Sequence, residues 1–273
     1  MSEPHWAVVL GASAGTGAAV STALAQDPGL HVFGVHRGNH PGTAAQVEAS
    51  VLNAGRRIHL RVGDAATPEG ADAGVQELLA LAGPRSVKFF VHSIANASVG
   101  YLVEGKSTLH PKQVRSTFDG MAHSFIWWAQ AMFDADLLAP EARLLGLSNP
   151  LTDNLLGPTA LIAASKAALE VYVQHLAKEL GPHGHRVNLL KFGSVITKAA
   201  RTTFGDDVLE RHQALLRRAI PAGRTCEMEE VARLVSFLAG PHAGWFNGAT
   251  IDFTGAEVQS LFDAMVYPDR TRS

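Results

Sequence analysis

The residues Leu10-Gly11-Ala12-Ser13-Ala14-Gly15-Thr16-Gly17 constrain the fold of this chain more than any other stretch. They follow the apolar run Trp6-Ala7-Val8-Val9-Leu10 and precede Ala18-Ala19-Val20-Ser21-Thr22-Ala23-Leu24-Ala25, an order that reads as strand, glycine turn, helix. A chain that leaves a buried strand and reverses within a few residues needs backbone angles that side chains disfavour, and glycine supplies them. Gly15 and Gly17 also carry no Cβ to hold a phosphate away from the helix start. There the unpaired N–H groups and the positive end of the helix dipole attract anions. Small residues also crowd turns for packing reasons, but the flanking strand and helix favour nucleotide binding.

The remaining pattern repeats this unit. Apolar strands are expected at 30–35, 57–62, 87–91, 142–147, 186–192 and 249–253. Helices are expected at about 43–53, 69–81, 111–136, 159–180, 204–218 and 227–238. Continuously apolar strands alternating with helices predict a Rossmann-type, doubly wound α/β fold. Its sheet is parallel and seven-stranded, with helices on both faces. Right-handed crossovers gather the strand ends, and the ligand, along one edge. No linker, repeat or low-complexity block divides the chain, so a single domain spanning 1–273 is expected. Within it, the charged amphipathic stretch at about 204–220 reads as a mobile helix over a substrate pocket, and 267–273 as a tail. Adjacent Trp127 and Trp128 read as core or interface residues.

Residue types at the strand ends narrow the ligand. The loop His36-Arg37-Gly38-Asn39-His40-Pro41 lies where an acid would hold an adenosine 2′-hydroxyl, and it contains no acid. Arg37 offers a forked contact to a 2′-phosphate instead, which favours NADP(H) over NAD; the alternative is a solvated loop arginine. Asp64 either holds the adenine edge or caps a turn. Small residues in Ser93-Ile94-Ala95 would let a ribose and a nicotinamide lie against backbone. Lys166 stands among alanines on a helix face built for close approach to something, unless that face is simply solvated.

Composition excludes other classes. A net charge of -2 gives no basic field for nucleic acid. No uncharged apolar run of about eighteen residues is present to span a membrane. The first strand begins by Trp6, which leaves no room for a secretory segment, and a cytoplasmic location is expected. The one cysteine, Cys226, cannot form an internal disulfide and reads as a small residue at a helix start. Thirteen histidines show no helical HExxH spacing, and His183-Gly184-His185 sits in a turn without a nearby acid, so no metal is expected.

Gly11, Gly15 and Gly17, Asp64, Lys166, Arg186-Val187-Asn188, and Gly193 with Thr197 together resemble the short-chain dehydrogenase/reductase family along nearly the whole chain. Three segments resemble its enoyl-acyl-carrier-protein reductase branch. They are His92-Ser93-Ile94-Ala95, where ketoreductases usually have Asn-Asn-Ala-Gly; Asp119 with Ser124 and Phe125; and Gly193-Ser194-Val195-Ile196-Thr197-Lys198-Ala199. Two features depart from that branch. The glycine turn has the shorter ketoreductase-type spacing. The catalytic tyrosine is absent in both registers, Thr159 standing seven positions before Lys166 and Ile162 four before; Asn149 occupies the place of an earlier tyrosine.

The resemblance implies NADP(H) contacts at Gly11, Ser13, Ala14, Gly15, Thr16, Gly17, His36, Arg37, Asp64, Ala65, Ser93, Ile94, Ala95, Lys166, Gly193, Val195 and Thr197, with Lys166 on the nicotinamide ribose. Ser148, Asn149 or Thr159 would donate to the substrate oxygen, and Tyr101 is either a substitute phenol or a surface residue. Carbonyl reduction must protonate an alkoxide as it forms. Enoyl-thioester reduction needs only a donor to the thioester oxygen, with carbon protonated later by water. A missing phenol therefore damages the first reaction more than the second, and NADPH-dependent reduction of an α,β-unsaturated thioester or related activated alkene is expected. An atypical ketoreductase or alcohol dehydrogenase, and a non-catalytic NADP(H)-binding protein, are the alternatives. The resemblance also implies an acyl substrate on a small molecule or carrier. It further implies a homotetramer or homodimer with two long helices between subunits.

Overall fold

The computed structural model describes residues 4–103, 108–195, 201 and 205–267. Seven strands form one parallel sheet: β1 (His5–Leu10), β2 (Leu30–His36), β3 (Ile58–Val62), β4 (Val87–His92), β5 (Leu138–Ser148), β6 (Arg186–Phe192) and β7 (Thr250–Phe253). Their order is β3-β2-β1-β4-β5-β6-β7, so the chain winds outward from β1 in both directions. That reversal leaves a crevice beyond the carboxyl end of β1, between β2 and β4.

The strands read as unbroken apolar runs because both faces are covered. Trp6, Val8 and Leu10 join Phe90, Phe125, Trp128 and Leu144 in one core. Ala7 and Val9, pointing the other way, join Val20, Leu24, Val231 and Val235 in a second. The first core is closed by α3 (Pro68–Ala82), α5 (Ser124–Asp134) and α6 (Ala160–Leu180). The second is closed by α1 (Gly15–Leu24) and α8 (Met228–Ala239), while α2 (Pro41–Asn53) packs beside α1. Each fully buried Val, Leu or Phe contributes about 1.5–3 kcal/mol, so the two layers together hold the sheet between them.

Three elements differ from the sequence reading. The helix expected at about 111–136 is α4 (Pro111–Phe118) and α5, joined through a π-helical turn at Asp119–His123. The extra residue rotates the following turn, so Ser124, Phe125, Trp128, Ala129 and Met132 all reach the core. β5 begins at Leu138, four residues early, and absorbs a register irregularity near Glu141, whose φ is 56°. A further helix, α9 (Glu257–Val266), occupies residues between the last expected strand and the expected tail, to which the sequence reading assigns no element. It packs against α7 (Asp206–Ala219), the amphipathic helix expected from about 204; residue 204 itself and 268–273 lie outside the described residues.

Trp128 is a core residue: it is fully buried, and its Nε1 donates to Ala65 O at 3.1 Å. Trp127 is half-buried beside His123. Helices α3 and α5 meet where a Cβ on Gly74 would lie 2.3 Å from the Trp128 ring. Gly74→Ala is therefore expected to lower stability by about 1–3 kcal/mol through overpacking, read as a lower urea midpoint. An unchanged midpoint would mean that α3 can slide away from the indole.

Candidate functional site

The turn after β1 is assembled from backbone. Gly11 N donates to Val35 O at 2.9 Å and Ser93 N to Leu10 O at 3.1 Å, which draws the ends of β1, β2 and β4 together. Gly11 has φ +83°, and a Cβ on it would lie 2.4 Å from Ser93 O; a Cβ on Gly17 would lie 2.2 Å from Gly11 O. These glycines are thus required by the protein's own packing as well as by any phosphate. Helix α1 opens at Gly15 with Ala14 in an extended conformation and no side-chain cap, so its first N–H groups have no side-chain partner. Ser13 is buried, Ala14 and Thr16 half-buried. An uncapped helix start offers N–H groups and the positive end of the helix dipole, the arrangement that attracts anions.

Charged groups flank that turn. Arg37 is exposed, and its Nη2 donates to Asn96 Oδ1 at 3.2 Å, bridging the segments after β2 and β4 across the end of β1. His36 is buried and accepts from Gly38 N at 3.1 Å; burial, and then His40, hold its pKa below the ordinary value. Asp64 is exposed and accepts from Ala66 N at 2.9 Å, so one carboxylate oxygen caps the turn. Ala65 is buried with its carbonyl on Trp128. Ile94 and Ala95 follow Ser93 along the crevice, and Ile94 packs against the core.

A second group of polar side chains lies deeper, beneath the ends of β4 and β5. Lys166 is 4% exposed, which excludes the solvated alternative, and its Nζ donates to Leu147 O at 2.7 Å. Burial pushes its pKa down to about 7. The next residue along β5, Ser148, is 2% exposed and its Oγ has no hydrogen-bond partner. His92 ends β4 fully buried; its Nε2 lies 2.8 Å from Ser124 Oγ, which donates to Gly120 O at 2.9 Å. Burial, and then the Lys166 charge, push His92 down to about 3, so it is neutral, and its Nδ1 is unpartnered. Buried polar atoms without partners are rare, and two of them here leave hydrogen-bonding capacity beside an ionisable lysine.

The other sequence candidates are already engaged or lie apart. Thr159 is buried, and its hydroxyl donates to Leu156 O at 2.7 Å. Asn149 Oδ1 accepts from Leu151 N at 3.1 Å, which leaves its amide N–H groups. Tyr101 is 50% exposed and lies against Gly157, while Gly100 N donates to Pro158 O at 2.9 Å. These contacts tie the segment after β4 to the approach to α6. Beyond β6, Gly193 is buried, and Ser194 and Val195 are half-buried; Thr197 lies outside the described residues. Cys226 is half-buried two residues before α8, and burial pushes its thiol up to about 11, so it is no nucleophile at neutral pH. Two residues escaped the sequence reading. His92 served there only as a family match, and Glu257, at the start of α9, was passed over because its helix was. The apolar spacing of Val258, Leu261, Phe262 and Met265 was the signal available for α9.

The fold and the turn define a dinucleotide-binding α/β protein with a buried lysine beyond the cofactor crevice. Residues 11–255 match the family model described as Enoyl-(Acyl carrier protein) reductase. The chain belongs to this family of short-chain dehydrogenase/reductase oxidoreductases. It is 30% identical over 252 residues to an uncharacterised oxidoreductase of Methylorubrum extorquens, covering 91% of this chain and 96% of the relative. It is 26% identical over 248 residues to 1-cyclohexenylcarbonyl-CoA reductase of Streptomyces collinus, covering 91% and 85%. Among solved structures, a short-chain dehydrogenase of Burkholderia cenocepacia in complex with NADP superposes with a TM-score of 0.81 at 26% identity, covering 93% and 97%.

Lys166 makes stability depend on pH. Its folded-state pKa lies below the ordinary 10.5, so between about 7 and 10.5 the unfolded chain holds a proton that the folded chain has lost. Stability then rises with pH across that window. Lys166→Met is expected to be more stable than the wild type at neutral pH. The gap should close by at most about 1.4 kcal/mol per unit as pH rises, measured by urea unfolding. A gap independent of pH would show that Lys166 stays charged throughout.

Proposed function

We propose that the protein is an NADPH-dependent reductase of an α,β-unsaturated thioester or a related activated alkene. The observation that carries this reading is the pairing of buried Lys166 with the unpartnered Ser148 hydroxyl, in a site whose phenol positions hold Thr159 and Ile162. NADPH bound along the crevice would supply the hydride. The uncapped start of α1, with Gly15, Thr16 and Gly17, would take its pyrophosphate. Arg37 would exchange Asn96 for the 2′-phosphate beside His36, and Asp64 with Ala65 would border the adenine. Ser93, Ile94 and Ala95 would line the ribose and nicotinamide, Lys166 would hold the ribose hydroxyls, and Gly193, Val195 and Thr197 would close the carboxamide side.

Hydride addition at C3 of an enoyl thioester moves negative charge onto the thioester oxygen. Ser148 is the donor best suited to that charge, because its hydroxyl has no other engagement; the Thr159 proton is already given to Leu156 O. The amide N–H groups of Asn149 are the second donor, Tyr101 waits at the rim, and water completes the protonation at C2. The Streptomyces relative, by its name, reduces a conjugated alkene carried on CoA, which supports the same class here. A site with Thr159 and Ile162 at the phenol positions is poorly matched to carbonyl reduction, where a proton must arrive as the alkoxide forms. Assembly as a homodimer or homotetramer is supported by β7 at the sheet edge and by Trp245, 96% exposed in the segment before it. No helix among the described residues is long and apolar enough to cross a membrane.

The test is loss of NADPH absorbance with crotonyl-CoA, 1-cyclohexenylcarbonyl-CoA, acetoacetyl-CoA and a simple aldehyde, followed by product analysis. Saturated thioesters are expected, with Ser148→Ala lowering kcat about a hundredfold. Oxidation with the carbonyl substrates alone, or with none, would overturn the reading. Arg37→Leu is expected to raise KM for NADPH about tenfold or more while leaving NADH unchanged, as loss of a charged hydrogen bond to the 2′-phosphate requires. An equal effect on both cofactors would remove Arg37 from that role.

A further inference from the structure

Ser194, in the loop after β6, is held from two sides by one carboxylate. Its backbone N donates to Glu257 Oε2 at 2.8 Å and its Oγ to Glu257 Oε1 at 2.9 Å, so both oxygens of Glu257 are spent on a single residue. Glu257 is 3% exposed and opens α9. Gly193 lies tight against the same place: a Cβ on it would come 3.0 Å from both Glu257 Oε2 and Thr254 O. On the third side, His212 Nε2 of α7 lies 3.4 Å from Ser194 Oγ. The hydroxyl proton goes to Glu257, which makes the imidazole N–H the donor. A buried carboxylate is tolerated where fixed donors and a helix N-terminus replace its water, and this one has both.

We infer that Glu257 is a positioning residue for the nicotinamide half of the cofactor site: by gripping Ser194 from α9, it fixes the Gly193–Val195 loop against that half. The inference rests on the cofactor placement given above and not on the identity of the alkene. The loop has no other polar anchor of this kind among the described contacts, since the neighbouring hydrogen bond of Gly193 is the single one from its N to Phe253 O at 3.3 Å. Nothing at the adenosine end depends on Glu257. Arg37, Asn96 and Asp64 lie on the β2–β3–β4 side of the sheet, with β5 between β4 and β6. The effect of loosening the grip is therefore confined to one half of a two-part ligand.

That asymmetry sets the experiment. Titration calorimetry of the full chain with NADPH, and with adenosine 2′,5′-bisphosphate, separates the two halves. Glu257→Gln, which keeps the size but only one acceptor, is expected to weaken NADPH about tenfold and to abolish the rise in nicotinamide fluorescence on binding. Adenosine 2′,5′-bisphosphate should bind within about twofold of wild type. Ser194→Ala, which loses the hydroxyl arm and keeps the backbone arm, should fall between wild type and Glu257→Gln; it serves as the deciding variant if Glu257→Gln does not fold. Unchanged NADPH affinity, or equal weakening of both probes, would overturn the inference, the second outcome showing a general structural role. Failure of the wild-type chain to bind either probe would overturn the cofactor placement and this inference with it.

Discussion

The site depends on the closeness of three backbones. The carbonyl of Gly11, the Cα of Gly17 and the carbonyl of Ser93 are packed so tightly that a methyl group on either glycine would overlap main chain at 2.2–2.4 Å. Main-chain atoms cannot move aside as side-chain ends do, so the path from β1 into α1 and its spacing from β4 are set together. From that contact follow the position of the uncapped helix start, the crevice beside it, and the distance that Arg37 must span to reach Asn96. The two cores on either face of the sheet supply the stability that keeps such a tight turn assembled.

Burial gives the deeper half of the site its character. Lys166 is buried with the Leu147 carbonyl as its hydrogen-bond partner, and burial takes its proton affinity down by several orders of magnitude. His92 is driven further in the same direction by the same cause, with the Lys166 charge added, and becomes a neutral hydrogen-bonding element held by the π-helical turn through Ser124. The helix irregularity thus has a local purpose: it delivers a hydroxyl to an imidazole that would otherwise have both nitrogens unpaired.

Much of this was legible in the sequence, because strands buried on both faces declare themselves as unbroken apolar runs and glycine marks the turn between them. All seven strands and their parallel sense followed from that, as did Arg37 at its loop and Lys166 on its helix. The features that were not legible have weaker local signals. A π-helical turn inserts one residue without altering the apolar rhythm enough to be seen, and β5 extends through a positive-φ residue, Glu141, that no propensity favours. Helix α9 is short and leaves Phe262 and Met265 exposed, so its apolar spacing does not mark a single buried face. The engagements of Thr159 and Asn149 are also invisible from composition, since whether a hydroxyl or amide is free depends on carbonyls and N–H groups brought near by the tertiary path.

The grip of Glu257 on Ser194 joins residues 63 positions apart and falls near the end of the chain. The strands that border the crevice, β1, β2 and β4, end by His92, whereas the loop after β6 is not secured until α9 has been made. Because α8 closes the core behind β1, the crevice and the loop after β6 both wait for residues beyond β6 to be made. A nascent chain therefore completes its sheet with β7 before it secures the loop after β6.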